Sequence, residues 1–332
     1  MTHIPNYMPA PQPIPGRAGL ITFGIISIVL GALAGCASLT MPLAMLAARM
    51  APQQQAPGMT ISGMILAMAF YVGAATALIW TGIGSCRCQR WVRPVILCIA
   101  WPGLIFGILA MVFMVPMLAT MPIPTQPGAP AMPPQFRVVM AIISISVLVV
   151  FYILLPGAYI AFYQRRGTAE ALAQCDLQPR WTDRCPIPVL GLSIWSGLTG
   201  LAALSMLQFR CLPFFGAYIT GTPALGGIVC VSAALTFAAW SCYHLRTSGW
   251  WTVLLVMGLW LTSTGVTFAL TGVMEFYRQA HLPDQQLQVL EQSFARGPML
   301  PIMIGIYGAL CLGYLLYVRR YFVASEQTEA RS

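Results

Sequence analysis

The chain has 332 residues, of which 58% are apolar and only 8% charged, with 17 basic and 8 acidic side chains and a net charge of +9. A soluble globular chain carries roughly 25% charged residues. No single core in a protein of this size can hide so large an apolar fraction, so a water-soluble fold is excluded and the outer positions must face lipid.

In chain order, Met1 to Gly16 comes first, with Pro5, Pro9, Pro11, Pro13 and Pro15. That spacing favours extended polyproline conformations without a core, which predicts a disordered tail. Beyond it the ruler is charge. A charge in the hydrocarbon core is expensive, and a helical crossing needs about 20 residues, so the long gaps between charges mark the spans. Eight gaps are long enough and predict helices near 19–45, 60–83, 95–119, 138–163, 187–208, 223–244, 251–274 and 299–318. The first contains Leu33-Ala34-Gly35-Cys36, which has the form of a lipoprotein cleavage box. The stretch after Cys36 stays apolar through Leu46 and the leader is long and proline-rich, so an intact helix is expected and lipidation of Cys36 is not. The proline-rich loop 122–136 predicts an irregular external connection. After Pro283, Asp284 can cap an amphipathic helix over 284–296, with Leu287, Leu290 and Phe294 on one face, lying at the outer interface.

The fold class expected is therefore all-α: a polytopic integral membrane protein of eight transmembrane helices. Its organisation reads as a tail over 1–16, a first four-helix bundle over 17–166, a cytoplasmic linker over 167–186, a second bundle over 187–320 carrying the external helix, and a tail over 321–332.

The two bundles show signs of tandem duplication. Ser27, Ile28 and Gly31 match Ser193, Ile194 and Gly197 at an offset of 166; Ala74, Thr76, Trp80 and Trp91 match Ala234, Thr236, Trp240 and Trp251 at 160; Tyr163, Arg165 and Arg166 match Tyr317, Arg319 and Arg320 at 154. The matches run in order with a steadily shrinking offset, as small loop deletions would produce. A four-span repeat preserves orientation, so the halves would be parallel repeats. Lysine is absent, and with both termini cytoplasmic the inner loops and tails hold twelve arginines against five outside, which favours that orientation in a cell membrane. Trp91, Trp181, Trp250 and Trp251 then fall near the cytoplasmic interface.

Helices in lipid associate by close backbone approach, so small-residue spacing is the packing signal. Gly31 and Gly35, and Gly103 and Gly107, have the four-residue spacing, and Gly258, Gly265 and Gly272 recur every seven residues along one stripe. These glycines are expected to pack helices within the chain or against a second copy or a partner subunit.

Chemistry is sparse. No carboxylate falls at membrane depth, no phosphate-binding Gly-x-x-x-x-Gly-Lys loop is possible without lysine, and no His-Glu-x-x-His zinc motif occurs. Gly191-Leu192-Ser193-Ile194-Trp195 lacks the closing glycine of a nucleophile elbow. No catalytic residue, cofactor or nucleic-acid partner is expected. Among ten cysteines, Cys86, Cys88 and Cys242, with His244 two residues on, are the candidates for a metal or redox site on the cytoplasmic face, though the chain has no Cys-x-x-Cys pair. The leading expectation is a non-catalytic structural or interaction subunit, or homo-oligomer, surrounded by membrane lipids. The alternatives are a facilitative, uncoupled transporter or channel, with a path between the halves lined by Ser263, Thr264, Thr267 or Tyr159, and the Cys/His site.

Overall fold

The computed structural model describes residues 16–50, 61–120, 134–280, Leu287, Glu291 and 299–329. The proline-rich tail before Gly16, the loop over 121–133 and the 284–296 helix other than Leu287 and Glu291 lie outside the described residues. Among the described residues eight helices are long and apolar enough to cross a membrane, the number the charge spacing predicts.

The first half holds α1 (Arg17–Met50), α2 (Ile61–Cys86) and α3 (Val92–Thr120). Its fourth crossing is composite: α4 (Pro134–Val149), a π turn over Val150–Leu154, and α5 (Leu155–Tyr163). Pro156 explains the wide turn. It has no N–H to give the Tyr152 carbonyl and its ring crowds that position, so the chain loosens ahead of it and Leu155 bonds back to Val150 instead. Gly107 on α3 sits against the exposed Tyr152 carbonyl, where any Cβ would overlap the oxygen.

Helices α1 and α2 pack along most of their length. Their backbones meet at two glycines: a Cβ built at Gly82 would stand 2.7 Å from the Gly24 carbonyl oxygen. Two tyrosines one helical turn apart on α5 clasp this hairpin. Tyr159 meets the Ser27 hydroxyl at 2.6 Å and Tyr163 meets that of Ser85 at 2.6 Å, while Ser85 donates to the Leu20 carbonyl at 2.8 Å. All four side chains are buried, so each hydroxyl has to be satisfied by protein. Leu20, Val92, Tyr163 and Leu172 form the first core.

The expected linker is partly helical, with α6 (Arg166–Cys175) burying Ala171 and Leu172 before a 3-10 turn at Trp181–Asp183. The second half follows with α7 (Ile187–Ala203), strands β1 (Cys211–Phe214) and β2 (Ala217–Thr220), α8 (Thr222–Tyr243), α9 (Thr247–Thr271), α10 (Val273–Gln279) and α11 (Met299–Glu329). Val189, Leu190, Trp250, Val318 and Phe322 lie in the second core.

Three local outcomes differ from the sequence reading. The antiparallel hairpin β1–β2 replaces a loop; its turn residues Phe215 and Gly216 have φ of +43° and +91°, the backbone that matches strand twist in a two-residue turn. The seventh crossing starts at Thr247 and stops at Gly272, whose φ of +76° ends the helix, so α10 is a separate element. The last helix runs past Arg319 and Arg320 to Glu329, through the region expected as a tail. In addition, Trp91 and Trp250 are buried in the two cores, whereas Trp181 and Trp251 are exposed.

The α2–α3 and α8–α9 connections share one geometry. Gln89 N–H bonds the Gly84 carbonyl and Cys88 that of Ser85; Arg246 bonds Ser241 and Leu245 bonds Cys242. The pivot residues Cys88 and Leu245 both have left-handed φ, +53° and +57°. This pairs residue 88 with 245, 157 positions apart, whereas Trp80 and Trp240 are 160 apart. Outside the bundle the apolar surface is what lipid requires, with Leu33, Leu255 and Leu270 58%, 65% and 73% exposed.

Candidate functional site

Helices α3 and α7 meet across the seam between the halves, and α11 forms a third wall. The Trp195 indole donates to the Cys98 carbonyl at 2.7 Å and the Cys98 thiol points to the Ile187 carbonyl at 3.5 Å, tying α7 to α3. The Tyr314 hydroxyl donates to the Pro188 carbonyl at 2.7 Å, tying α11 to α7. Gly191 makes the approach possible, since a Cβ there would stand 2.8 Å from the Tyr314 oxygen. Buried indole and phenol groups must find such acceptors, and here their bonds also tie the wall helices to one another.

Between these walls lies a cavity of about 670 Å³. Trp101, Phe106, Trp195, Tyr307 and Tyr314 give it an aromatic lining, completed by aliphatic side chains such as Ile105, Leu109 and Leu310. Ser196 and Thr199 add hydroxyls on α7, and Arg93 and Gln164 stand where α3 begins and α5 ends. Phe106 bridges the halves, with ring centroids 6.4 Å from Trp195 and 5.6 Å from Tyr307. The volume lies within the range of about 300–1,000 Å³ of small-molecule sites, and an apolar wall with few polar groups is their usual composition.

A second cavity of about 460 Å³ adjoins the first at Arg93 and Ile187, which line both. Arg90, Thr182 and Asp183 bring polar groups to it. The Arg93 Nε donates to the Tyr163 carbonyl at 2.9 Å, a bond that does not use its two terminal nitrogens. Arg90 holds Asp183 only loosely, at 3.9 Å, and Asp183 also accepts from the Arg180 backbone N–H at 2.9 Å. Thr182 is 3% exposed, and its hydroxyl has no hydrogen-bond partner among the described residues. Beneath the cavity Asp176 is fixed by both Nε and Nη2 of Arg180, at 2.9 and 3.1 Å, and by the Arg90 backbone N–H at 3.2 Å. The Arg180 bonds hold its carboxyl below the ordinary range, outweighing its desolvation.

The candidate metal ligands Cys86, Cys88, Cys242 and His244 are not brought together among the described residues. Cys86 points at the Ile21 carbonyl and Cys88 is buried beside Cys175, while Cys242 lies in the second core with Cys98 and Cys185, and the His244 ring bonds the Trp240 carbonyl at 2.9 Å. Among the described residues no group of three or more His, Cys, Asp or Glu side chains is placed to hold a metal ion. Burial pushes the Cys88 thiol up, with the neighbouring Cys175 adding to it, and burial raises Cys185 to about 11.

The glycines divide by surroundings. A Cβ at Gly31 would stand 2.9 Å from the Ala75 carbonyl oxygen, while one at Gly35 would touch only the Ala75 methyl at 3.8 Å, and one at Gly103 only Pro156 at 3.9 Å. Gly107 meets Tyr152 as described, and Gly265 faces Ile304 on α11 at 3.7 Å. Nothing lies within 4 Å of such a position at Gly258 or Gly272.

None of Ser263, Thr264, Thr267 and Tyr159 lines the cavity. Ser263 accepts from the Phe215 N–H at 3.1 Å and Thr267 from the Gly216 N–H at 2.9 Å, so these hydroxyls anchor the hairpin turn. Tyr159 is committed to Ser27. Cys36, the cysteine of the cleavage-box pattern, is an exposed residue inside α1. Of the amphipathic segment, Glu291 pairs with Arg278 at 2.9 Å.

Sequence reading did not single out Arg93, Trp195, Thr182 or Tyr314 for a site. The available signals were an indole mid-span, where its N–H needs an acceptor, and Tyr307 and Tyr314 seven residues apart on one helix face. No family model matches the chain, and neither a curated protein nor a solved structure matches it.

Proposed function

We propose that this is a non-catalytic membrane protein that acts by binding: two four-helix units in the same orientation, with both termini cytoplasmic, hold an apolar or amphipathic molecule in the cavity between them. The observation that carries the reading is the roughly 670 Å³ aromatic-lined space walled by α3 from one half and α7 and α11 from the other. The recurrent left-handed turn at Cys88 and Leu245 supports descent of the halves from one unit. The arginine distribution supports the orientation. Binding is preferred to uncoupled transport because Ser263 and Thr267, which could have lined a polar path, are spent on a hairpin packed against α8, α9 and α10.

The test is native mass spectrometry of the chain purified in mild detergent. Wild type should retain a small-molecule adduct, and Thr199→Trp, which fills the cavity from α7, should lose it while keeping the helical circular dichroism. Identical adduct profiles for the two proteins would remove the reading.

A second reading, assembly with another membrane chain, is favoured by Gly258. It is exposed on α9 between Leu255 and Leu259, which are 65% and 55% exposed, and among the described residues nothing lies within 4 Å of a Cβ placed there.

A further inference from the structure

The two adjoining cavities have opposite chemistry, and their junction falls where α3 starts. On one side lie the aromatic and aliphatic walls of the long apolar helices; on the other lie Arg90, Thr182 and α6 residues outside the spans, with Arg93 in the first turn of α3 between them. Few ligands match both. An apolar molecule leaves the polar cavity unused, and a free anion leaves the apolar one unused. A phospholipid uses both ends, since its phosphate takes charge-assisted hydrogen bonds from guanidinium groups and its acyl chain takes the apolar space. Basic pockets between helices on the cytoplasmic side have this recognition chemistry.

We propose that the protein holds one anionic phospholipid of the cytoplasmic leaflet, its headgroup phosphate at Arg93, Thr182 and Arg90 and an acyl chain in the cavity between the halves. The proposal rests on the ligand-binding reading above and names its ligand class.

Three observations converge on the headgroup. Arg93 lines both cavities and is anchored through Nε alone, so its terminal nitrogens can form the fork that a phosphate accepts. Thr182 is 3% exposed with a hydroxyl lacking any partner among the described residues; a buried donor of this kind costs free energy unless an acceptor occupies the adjoining space. Asp183 is the one carboxylate lining this cavity, and it is engaged by Arg90 and by the Arg180 backbone N–H. That leaves Arg93 as the cation without a carboxylate partner among the described residues, which suits a singly charged phosphodiester.

The test reconstitutes the full chain in mixed micelles containing equal phosphatidylglycerol and phosphatidylcholine of identical acyl chains, and native mass spectrometry reads the lipid retained. Wild type should retain phosphatidylglycerol in preference to phosphatidylcholine. Arg93→Gln should weaken that retention by about tenfold or more, the scale of a lost bond to a charged group. Because Arg93 also bonds Tyr163, Thr182→Val provides the cleaner variant. Its hydroxyl makes no bond among the described residues, so unfolding stability should not fall while retention drops several-fold. Equal retention of the two lipids, or unchanged retention in both variants, overturns the headgroup assignment. If Thr199→Trp still abolishes all lipid adducts in that case, the cavity reading stands and only the ligand class fails. Displacement of phosphatidylglycerol by millimolar inorganic phosphate, with phosphate itself retained as the adduct, would equally overturn the proposal in favour of a free-anion site.

Discussion

The Ser85–Tyr163 pair offers a quantitative test of how α5 is held on the first hairpin. Ser85 is fully buried, its hydroxyl hydrogen is spent on the Leu20 carbonyl, and its oxygen therefore accepts from Tyr163, which is also fully buried. The two deletions are not equivalent. Tyr163→Phe removes one interhelical bond and leaves Ser85 satisfied, a loss of about 0.6 kcal/mol and at most about 1.7 by the measured range in membrane proteins. Ser85→Ala removes two bonds and strands a phenol in an apolar core, which adds roughly 1–3 kcal/mol for the unsatisfied group. Ser85→Ala should therefore cost about 2–4 kcal/mol, and the double variant should cost no more than Ser85→Ala, giving a coupling on the order of 1 kcal/mol. Reversible unfolding in mixed dodecylmaltoside and dodecyl sulfate micelles, followed by circular dichroism, measures all four proteins. Strictly additive losses, or a Tyr163→Phe cost equal to that of Ser85→Ala, would refute the donor assignment and the claim that no water reaches this site.

Other consequences concern glycines, protons and thiols. Gly107→Ala drives a methyl into the Tyr152 carbonyl and should destabilise the α3–α4 seam by about 1–3 kcal/mol, as overpacking does. A Cβ at position 258 has no atom within 4 Å among the described residues, so the unfolding midpoint of Gly258→Leu should match wild type; a change in oligomeric state on a native gel then reports an intermolecular contact, and an unchanged state removes the assembly reading. The carboxyl of Asp176 is held below its ordinary value of 3.8, so its contribution is complete above that pH and is lost as pH falls through the lower folded-state value. Thermal unfolding should weaken in wild type at low pH, and Asp176→Asn should lose that dependence; an identical pH profile would show that the Arg180 pair does not matter. A membrane-impermeant maleimide should modify exposed Cys175 in inverted vesicles and not in right-side-out ones, while buried Cys88 and Cys185 react slowly. Labelling of Cys175 from the outside would reverse the proposed topology.

How much was legible in the sequence follows from which properties are local. The number of long apolar helices was, because the cost of a charge in hydrocarbon is set residue by residue, and 17 arginines and 8 acids leave eight long gaps that match the eight such helices among the described residues. Helix ends were less so. Gly272 read as a position in a packing stripe, but its backbone terminates α9, and the short strands around Phe215 and Gly216 carried no periodic signal strong enough to compete with flanking apolar runs. Which glycines permit close approach was half visible: the spacing named Gly31 and Gly107 but missed Gly24 with Gly82, because the spacing rule looks along one helix and that contact lies between two.

The site belongs to the tertiary structure. Trp195 finds its acceptor 97 residues away at Cys98, Tyr314 finds Pro188 at a separation of 126, and Arg93 reaches Tyr163 at 70. In water an amphipathic stripe would have announced which face of each helix turns inward; in lipid the outer surface is as apolar as the core, so that information is absent from the pattern. Composition and charge spacing thus determined that the chain forms eight helices long and apolar enough to cross a bilayer. The rotation of each helix decided that aromatic rings wall a cavity, that the flagged serine and threonine hold a hairpin, and that two arginines stand at the cavity's polar end, because only close packing and the need to satisfy each buried N–H and O–H fix those rotations.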